Sequence, residues 1–94
     1  MTTLFVRHQV SNFDNWKKIY DELGATREKM GVSAASVHRD GTDPNTVMVT
    51  HRFPNIGAAT AFANSEELKA GMGRAGVTSQ PEMWFTDDVE HTAH

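Results

Sequence analysis

Leu4-Phe5-Val6-Arg7-His8-Gln9-Val10-Ser11-Asn12-Phe13 aligns without a gap on Val47-Met48-Val49-Thr50-His51-Arg52-Phe53-Pro54-Asn55-Ile56, 43 positions later. Val6, His8 and Asn12 fall on Val49, His51 and Asn55, and apolar residues match at both ends. Each copy reads as an alternating strand that passes through an Asn-containing turn into a helix. The chain is therefore expected to be a doubled β-α-β unit, with one histidine late in each of two equivalent strands.

Outward from the first copy, residues 3–10 alternate with period two, as a half-buried strand does. Ser11 and Asn12 are good helix N-caps, and Asp14 suits the positive end of the helix dipole. Phe13, Trp16, Ile19, Leu23 and Met30 then follow spacings of three and four, with Tyr20 beside them. They predict one helix of roughly 14–17 residues, weakened in its middle by Gly24 and stopped by Gly31. Residues 33–39 predict a second, weaker strand, and Asp40-Gly41-Thr42-Asp43-Pro44-Asn45 a hairpin loop. Residues 46–53 are the clearest strand in the chain.

After the second copy, Pro54-Asn55 starts a helix carrying Ile56, Ala59, Phe62 and Ala63, which Asn64-Ser65 interrupts. Ser65, followed by Glu66 and Glu67, caps a further segment through Leu68, Met72 and Ala75, and Gly76 ends it. Residues 82–89 predict the last strand. The order β-α-β-β-α-β with right-handed crossovers gives an α+β, ferredoxin-like four-stranded antiparallel sheet with helices on one face. Residues 1–90 are expected to form one domain, and 91–94 a flexible tail. Phe5, Met48 and Trp84 would lie on the bare face beside Arg7, Thr50 and Arg52. Such a face is a liability for a monomer, so a homodimer closed sheet against sheet into an α+β barrel is expected.

Composition narrows the remaining classes. At 94 residues and 38% hydrophobic content, the core is thin and association would help it. The chain has no cysteine, which removes disulfides, a thiol nucleophile and thiolate metal sites. A net charge of −3 with scattered cations argues against nucleic acid as a partner. No stretch has the length and apolarity of a membrane span, and no leader is visible, so a cytoplasmic protein is expected.

By strand parity Leu4, Val6, His8 and Val10 share one face, as do Val47, Val49, His51 and Phe53. Both sets are apolar, so both histidines should point between the sheet and the helices. Because register is not readable, they could lie directly opposite one another or offset diagonally. A neutral imidazole there is a natural general base; the alternative is a core-edge histidine bonded to a backbone carbonyl. His51 ranks first because it sits near the strand-to-helix turn, with His8 and Tyr20 as its partners in catalysis. Trp16, Phe62 and Trp84 could wall a pocket for a flat organic molecule, and Arg27 could hold an acidic group on it. Trp16 and Phe62 could equally be plain core, and Trp84, with parity opposite to Phe85, could instead pack at a dimer face. The five histidines have no spacing that builds a metal site. Gly71-Met72-Gly73-Arg74-Ala75-Gly76 matches G-x-G-x-x-G, but at the end of a helix rather than after a strand, so it implies no dinucleotide and no cofactor is expected.

Asn12-Phe13-Asp14-Asn15-Trp16-Lys17-Lys18-Ile19-Tyr20-Asp21 resembles the opening of the first helix in small dimeric α+β-barrel proteins, the antibiotic-biosynthesis-monooxygenase-like or "cyclase" group. So does the segment from Ser65 to Val77, followed by Pro81 and an aromatic strand. The resemblance covers nearly the whole chain. It implies the same fold, a homodimer, and a site between sheet and helices that takes a small hydrophobic or aromatic ligand. The superfamily includes cofactor-free monooxygenases, polyketide cyclases, isomerases and haem-degrading enzymes. Its oxygenases place Asn, Trp, Tyr and Arg around the substrate. Here Trp16 and Tyr20 answer to that set, but no strand carries the Asn. Its cyclases use a histidine and a tyrosine, which His51 or His8 with Tyr20 would imitate. The expected function is a small enzyme of cyclase or cofactor-free monooxygenase type, acting on an aromatic or polyketide-like substrate with a histidine as base. The alternative is a non-catalytic homodimer that binds a small hydrophobic ligand or a partner.

Overall fold

The computed structural model describes residues 1–94. Its elements run β1 (Thr2–Gln9), α1 (Phe13–Glu22), α2 (Gly24–Lys29), β2 (Ala34–Arg39), β3 (Thr46–Phe53), α3 (Ile56–Ala63), α4 (Glu66–Ala75) and β4 (Glu82–Asp87). The four strands form one antiparallel sheet in the order β2-β3-β1-β4. This is the expected α+β, ferredoxin-like topology. No helix is long and apolar enough to cross a membrane.

The sequence repeat is also a symmetry of the structure. β1 and β3 pair with Val6 opposite Val49, and those two valines are equivalent in the repeat. A local twofold axis therefore passes between them. The caps obey it as well: Asn12 accepts a hydrogen bond from the Asn15 amide and Asn55 from the Ala58 amide, both at 2.9 Å. Each asparagine satisfies one of the amide donors that the first turn of its helix leaves without a partner.

The long first helix is where the structure departs from expectation. It breaks at Leu23 (φ −92°, ψ 7°) into α1 of ten residues and α2 of six. Gly24, a poor helix residue, follows the break, and α2 buries none of its residues. Only tertiary packing could have held so long a helix straight, and α2 has little of it. The other boundaries match closely. Ser65 caps α4 by accepting from the Leu68 amide, and Gly76 ends that helix in the left-handed region at φ 80°. A Cβ at Gly76 would also lie 2.6 Å from the Ser11 hydroxyl oxygen, so this last glycine of the G-x-G-x-x-G match serves as a helix stop. In the β2–β3 hairpin, Asp40 accepts from Thr42 and Asp43 while Asp43 accepts from Asn45 and Thr46, so two carboxylates organise the loop.

Two buried clusters fill the space between sheet and helices. Leu4, Val6, Phe53, Ala59 and Phe62 form one, under α3; Val10, Trp16, Val47, Val49 and Ala75 form the other, under α1 and α4. The core-facing sets of β1 and β3 follow strand parity: Leu4, Val6, His8, Val47, Val49, His51 and Phe53 are all buried. The other face carries Phe5 opposite Trp84 and Thr50, and Arg7 opposite Glu82 and Met48. Phe5 and Trp84 there are 43% and 49% exposed.

Candidate active site

The site follows from the register. His8 stands opposite Val47 and His51 opposite Leu4, so the two are four residues apart along the ladder, on either side of the Val6–Val49 pair. At about 3.4 Å per residue this puts their α-carbons roughly 13 Å apart along the strands. Of the two arrangements the alternation leaves open, they are thus offset diagonally, by four residues, rather than directly opposite. Equivalent positions late in two antiparallel strands must fall on opposite sides of the twofold axis.

Between these histidines lies an open-mouthed cleft with about 70 Å³ of space for the centres of water-sized molecules. Val6, His8, Val49 and His51 make its floor, and α1, α2, α3 and α4 all contribute to the rest. Six of the seven residues proposed from sequence line it: His8, Trp16, Tyr20, Arg27, His51 and Phe62. Trp84 does not. Its parity sets it opposite Phe5 on the bare face of the sheet, and β4 is an edge strand with no helix on that side. As a pocket residue, Trp84 is corrected to an open-face residue.

The walls are built from aromatic contacts. On α1, Trp16 stacks on Tyr20 at 5.0 Å and on Phe13 at 5.8 Å between ring centroids. Guanidinium groups close both ends of this stack, Arg27 at 3.6 Å from the Tyr20 ring and Arg39 at 4.4 Å from the Phe13 ring. Arg27 is fixed further by donating to the Tyr20 carbonyl at 2.6 Å. The His8 ring meets Trp16 edge-on at 5.8 Å and 65°, and His51 packs against Phe62 at 5.0 Å. Trp16 and Phe62 are therefore core and pocket wall at once.

Both histidines are 5% exposed. Neither ring nitrogen of His8 has a hydrogen-bond partner, and the buried Nδ1 of His51 has none. The backbone-carbonyl bond that would have made His8 a structural histidine is absent. Burial lowers the His8 pKa below the ordinary imidazole value. Burial first, then the Arg27 charge, then His8, push His51 down to about 4. Both rings are neutral at pH 7, able to accept a proton but reluctant to keep it in an apolar setting. No cluster of three or more His, Asp or Glu side chains gathers to hold a metal ion.

Several lining residues escape sequence reasoning: Leu23, Thr26 and Met30 around α2, and Glu67, Leu68 and Met72 on α4. The α4 stripe is visible as period-3.6 apolarity, but nothing in the sequence ties it to α1. That contact depends on Gly71, where a Cβ would come within 2.7 Å of the Leu23 side chain.

Several solved structures share this fold. A cofactor-independent oxygenase from Streptomyces nogalater, SnoaB, in its N63A form, superposes with TM-score 0.77 at 12% identity, over 99% of this chain and 97% of its own. An antibiotic biosynthesis monooxygenase superposes with TM-score 0.73 at 16% identity, over 96% and 100%. The chain has the antibiotic biosynthesis monooxygenase-like fold. A candidate antibiotic biosynthesis monooxygenase from Bordetella bronchiseptica shares it with TM-score 0.79 at 9% identity, over 95% and 97%. By sequence, no protein-family model and no curated protein matches the chain. At such identities the likeness speaks for the backbone, and the chemistry has to be argued from the cleft itself.

Proposed function

We propose that the protein is a small enzyme that removes a proton from an aromatic or polyketide-like substrate held between the sheet and the helices, with His51 as general base. The observation that carries this reading is a buried, neutral imidazole without a partner for Nδ1, in the wall of an aromatic cleft. In the free protein that imidazole is a weak base, because burial disfavours its charged form. A substrate changes the balance. As a phenol or a carbon next to a carbonyl loses its proton, the developing anion lies beside the new imidazolium, and each stabilises the other in the apolar surroundings of the cleft. Arg27, stacked on Tyr20 at the cleft, adds a fixed positive charge for that anion. Tyr20 and His8 are the further hydrogen-bonding groups. The likeness to a cofactor-independent oxygenase supports a reaction of cofactor-free monooxygenase type.

The working form is proposed to be a homodimer closed through the bare sheet face. Phe5 and Trp84, half-exposed side by side there, support it. Sedimentation of the wild type against Trp84→Lys tests this: the wild type should run as a dimer and the variant as a monomer.

The catalytic reading is tested by turnover of a phenol and anthrone panel, followed by oxygen uptake and product mass. His51→Phe, which keeps the ring volume, should abolish turnover while leaving ligand binding within a few-fold. A second reading, a non-catalytic homodimer that binds a small hydrophobic ligand, is favoured by one observation, the low pKa that makes His51 a poor base before anything binds. Binding without turnover across the panel would establish it instead.

A further inference from the structure

We propose that α2 is a lid hinged over the His51 end of the cleft, held shut by Arg27 on Tyr20, and that a ligand enters only when this latch releases. The inference rests on the reading above that the cleft takes an organic ligand, and adds the moving part that such a ligand requires.

The first observation is that the cleft is shut. Its space for the centres of water-sized molecules is about 70 Å³, against roughly 300–1,000 Å³ in sites that take organic ligands. Both ring nitrogens of His8 and the Nδ1 of His51 are sealed off. Something must move before a ligand can fill this space and meet His51.

The second observation is that α2 is the helix least tied down. Alone among the helices it buries no residue and has no side-chain cap. None of the five ion pairs includes one of its residues. The break at Leu23 and Gly24 lie at one end, and Gly31, at φ 100°, lies just past the other. Glycine alone takes that φ without strain. A Cβ on Gly31 would lie 3.9 Å from Phe53 and from Ala58, so the far hinge sits against the core while the helix between the hinges is free of it. Elements this lightly held are the ones that open locally.

The third observation is the latch. The side-chain hydrogen bond that fastens α2 to another element is Arg27 Nη1 donating to the Tyr20 carbonyl at 2.6 Å, with the guanidinium 3.6 Å from the Tyr20 ring. Thr26, Arg27 and Met30 line the cleft, and Met30 packs on the cluster that holds Phe53 and Phe62. Phe62 is the ring against His51, so turning α2 outward uncovers that end. His8 lies at the other end against Trp16 of α1 and stays covered.

Modification of the histidines by diethyl pyrocarbonate at pH 7, followed by peptide mass spectrometry, reads the opening, because the reagent needs an accessible neutral imidazole nitrogen. In the wild type His51 should react roughly tenfold or more slowly than the exposed His38 and His91. Arg27→Leu should speed His51 by roughly five- to thirtyfold and leave His8 within about twofold. Arg27→Lys, which keeps the charge but loses the planar fork, should fall between. Gly24→Ala, whose new methyl has room beside Arg27 at 3.7 Å, should slow His51 by about two- to fivefold by stiffening the near hinge. That variant carries the test should Arg27→Leu fail to fold. A His51 rate equal to that of His38 in the wild type, or unmoved by Arg27→Leu, would overturn the lid. So would His8 and His51 accelerating together, which marks loosening of the whole domain. Turnover of the phenol and anthrone panel is read separately: silence there, with His51 gated as described, removes the catalytic reading and leaves the lid standing.

Discussion

The two halves of this chain share one backbone plan and differ in what they lay over their histidines. Strand, asparagine cap and helix repeat around the Val6–Val49 axis, and His8 and His51 are equivalent points on it. Above His8 stands Trp16, the centre of a stack of rings closed at each end by an arginine. The equivalent position in the second half is Ala59, and the ring over His51 is Phe62, one turn further on. The scaffold is symmetric and the furnishing is not. The lesson is that the repeat fixes where two polar groups stand, while unrelated helix residues decide the environment each one feels.

That contrast can be broken at its heaviest point. Trp16→Ala should cost about 3–5 kcal/mol, because it empties the second core cluster and unstacks Phe13 and Tyr20. Denaturant unfolding reads this. A loss under about 1 kcal/mol would show that the stack does not hold the first half together.

A difference in proton affinity comes next. Folded His51 takes a proton only below about pH 4, whereas in the unfolded chain it does so below about 6.5. Between those values the unfolded chain binds the extra proton, so stability should fall as the pH drops from 6.5 to 4. The full loss from His51 is roughly 3 kcal/mol. His8, also lowered by burial, adds to it in the same direction. Thermal unfolding across that range should show the slope in wild type, and His51→Phe should remove most of it. A flat profile in wild type would mean that the imidazoles are not buried as described.

Gly71→Ala probes the packing of α4 on α1. Its new methyl would meet the Leu23 side chain at 2.7 Å, a flexible group that can turn aside only by losing contacts of its own. The expected cost is about 1–3 kcal/mol, with a change in ligand affinity because both residues line the cleft. The smallest effects sharpen the symmetry itself. Asn12→Ala and Asn55→Ala should each cost about 1 kcal/mol, and about the same, since the two caps make the same bond. A several-fold disparity between them would show that the halves are alike in trace only.

Much of this plan is legible in the sequence itself. Alternation exposes β1 and β3, period-3.6 stripes expose the helices, and Asn12, Asn55, Ser65 and Gly76 mark boundaries that the fold keeps. These signals are local, so they survive in a linear reading. The break at Leu23 is not legible, because Gly24 is only a weak interruption and the missing packing over α2 is a tertiary fact. The four-residue offset of His8 and His51 is a matter of register, which no single strand encodes. The repeat does hold a clue: an antiparallel pair of equivalent strands must place its axis between equivalent residues. Trp84 fails as a wall residue because parity fixes a face, while helices cover only one of the two.

The central claim is that both halves present a buried, neutral imidazole to one cleft. Nitrogen-15 spectra of the imidazole rings, recorded from pH 8 to pH 4 with assignments from His8→Phe and His51→Phe, test it most directly. The His51 ring should keep the signature of a neutral imidazole down to about pH 4, with His8 also titrating below the ordinary value of 6.5. A His51 ring that becomes charged at pH 6.5 or above would contradict the account, because it would show a solvated or carboxylate-paired histidine where a waiting base is claimed.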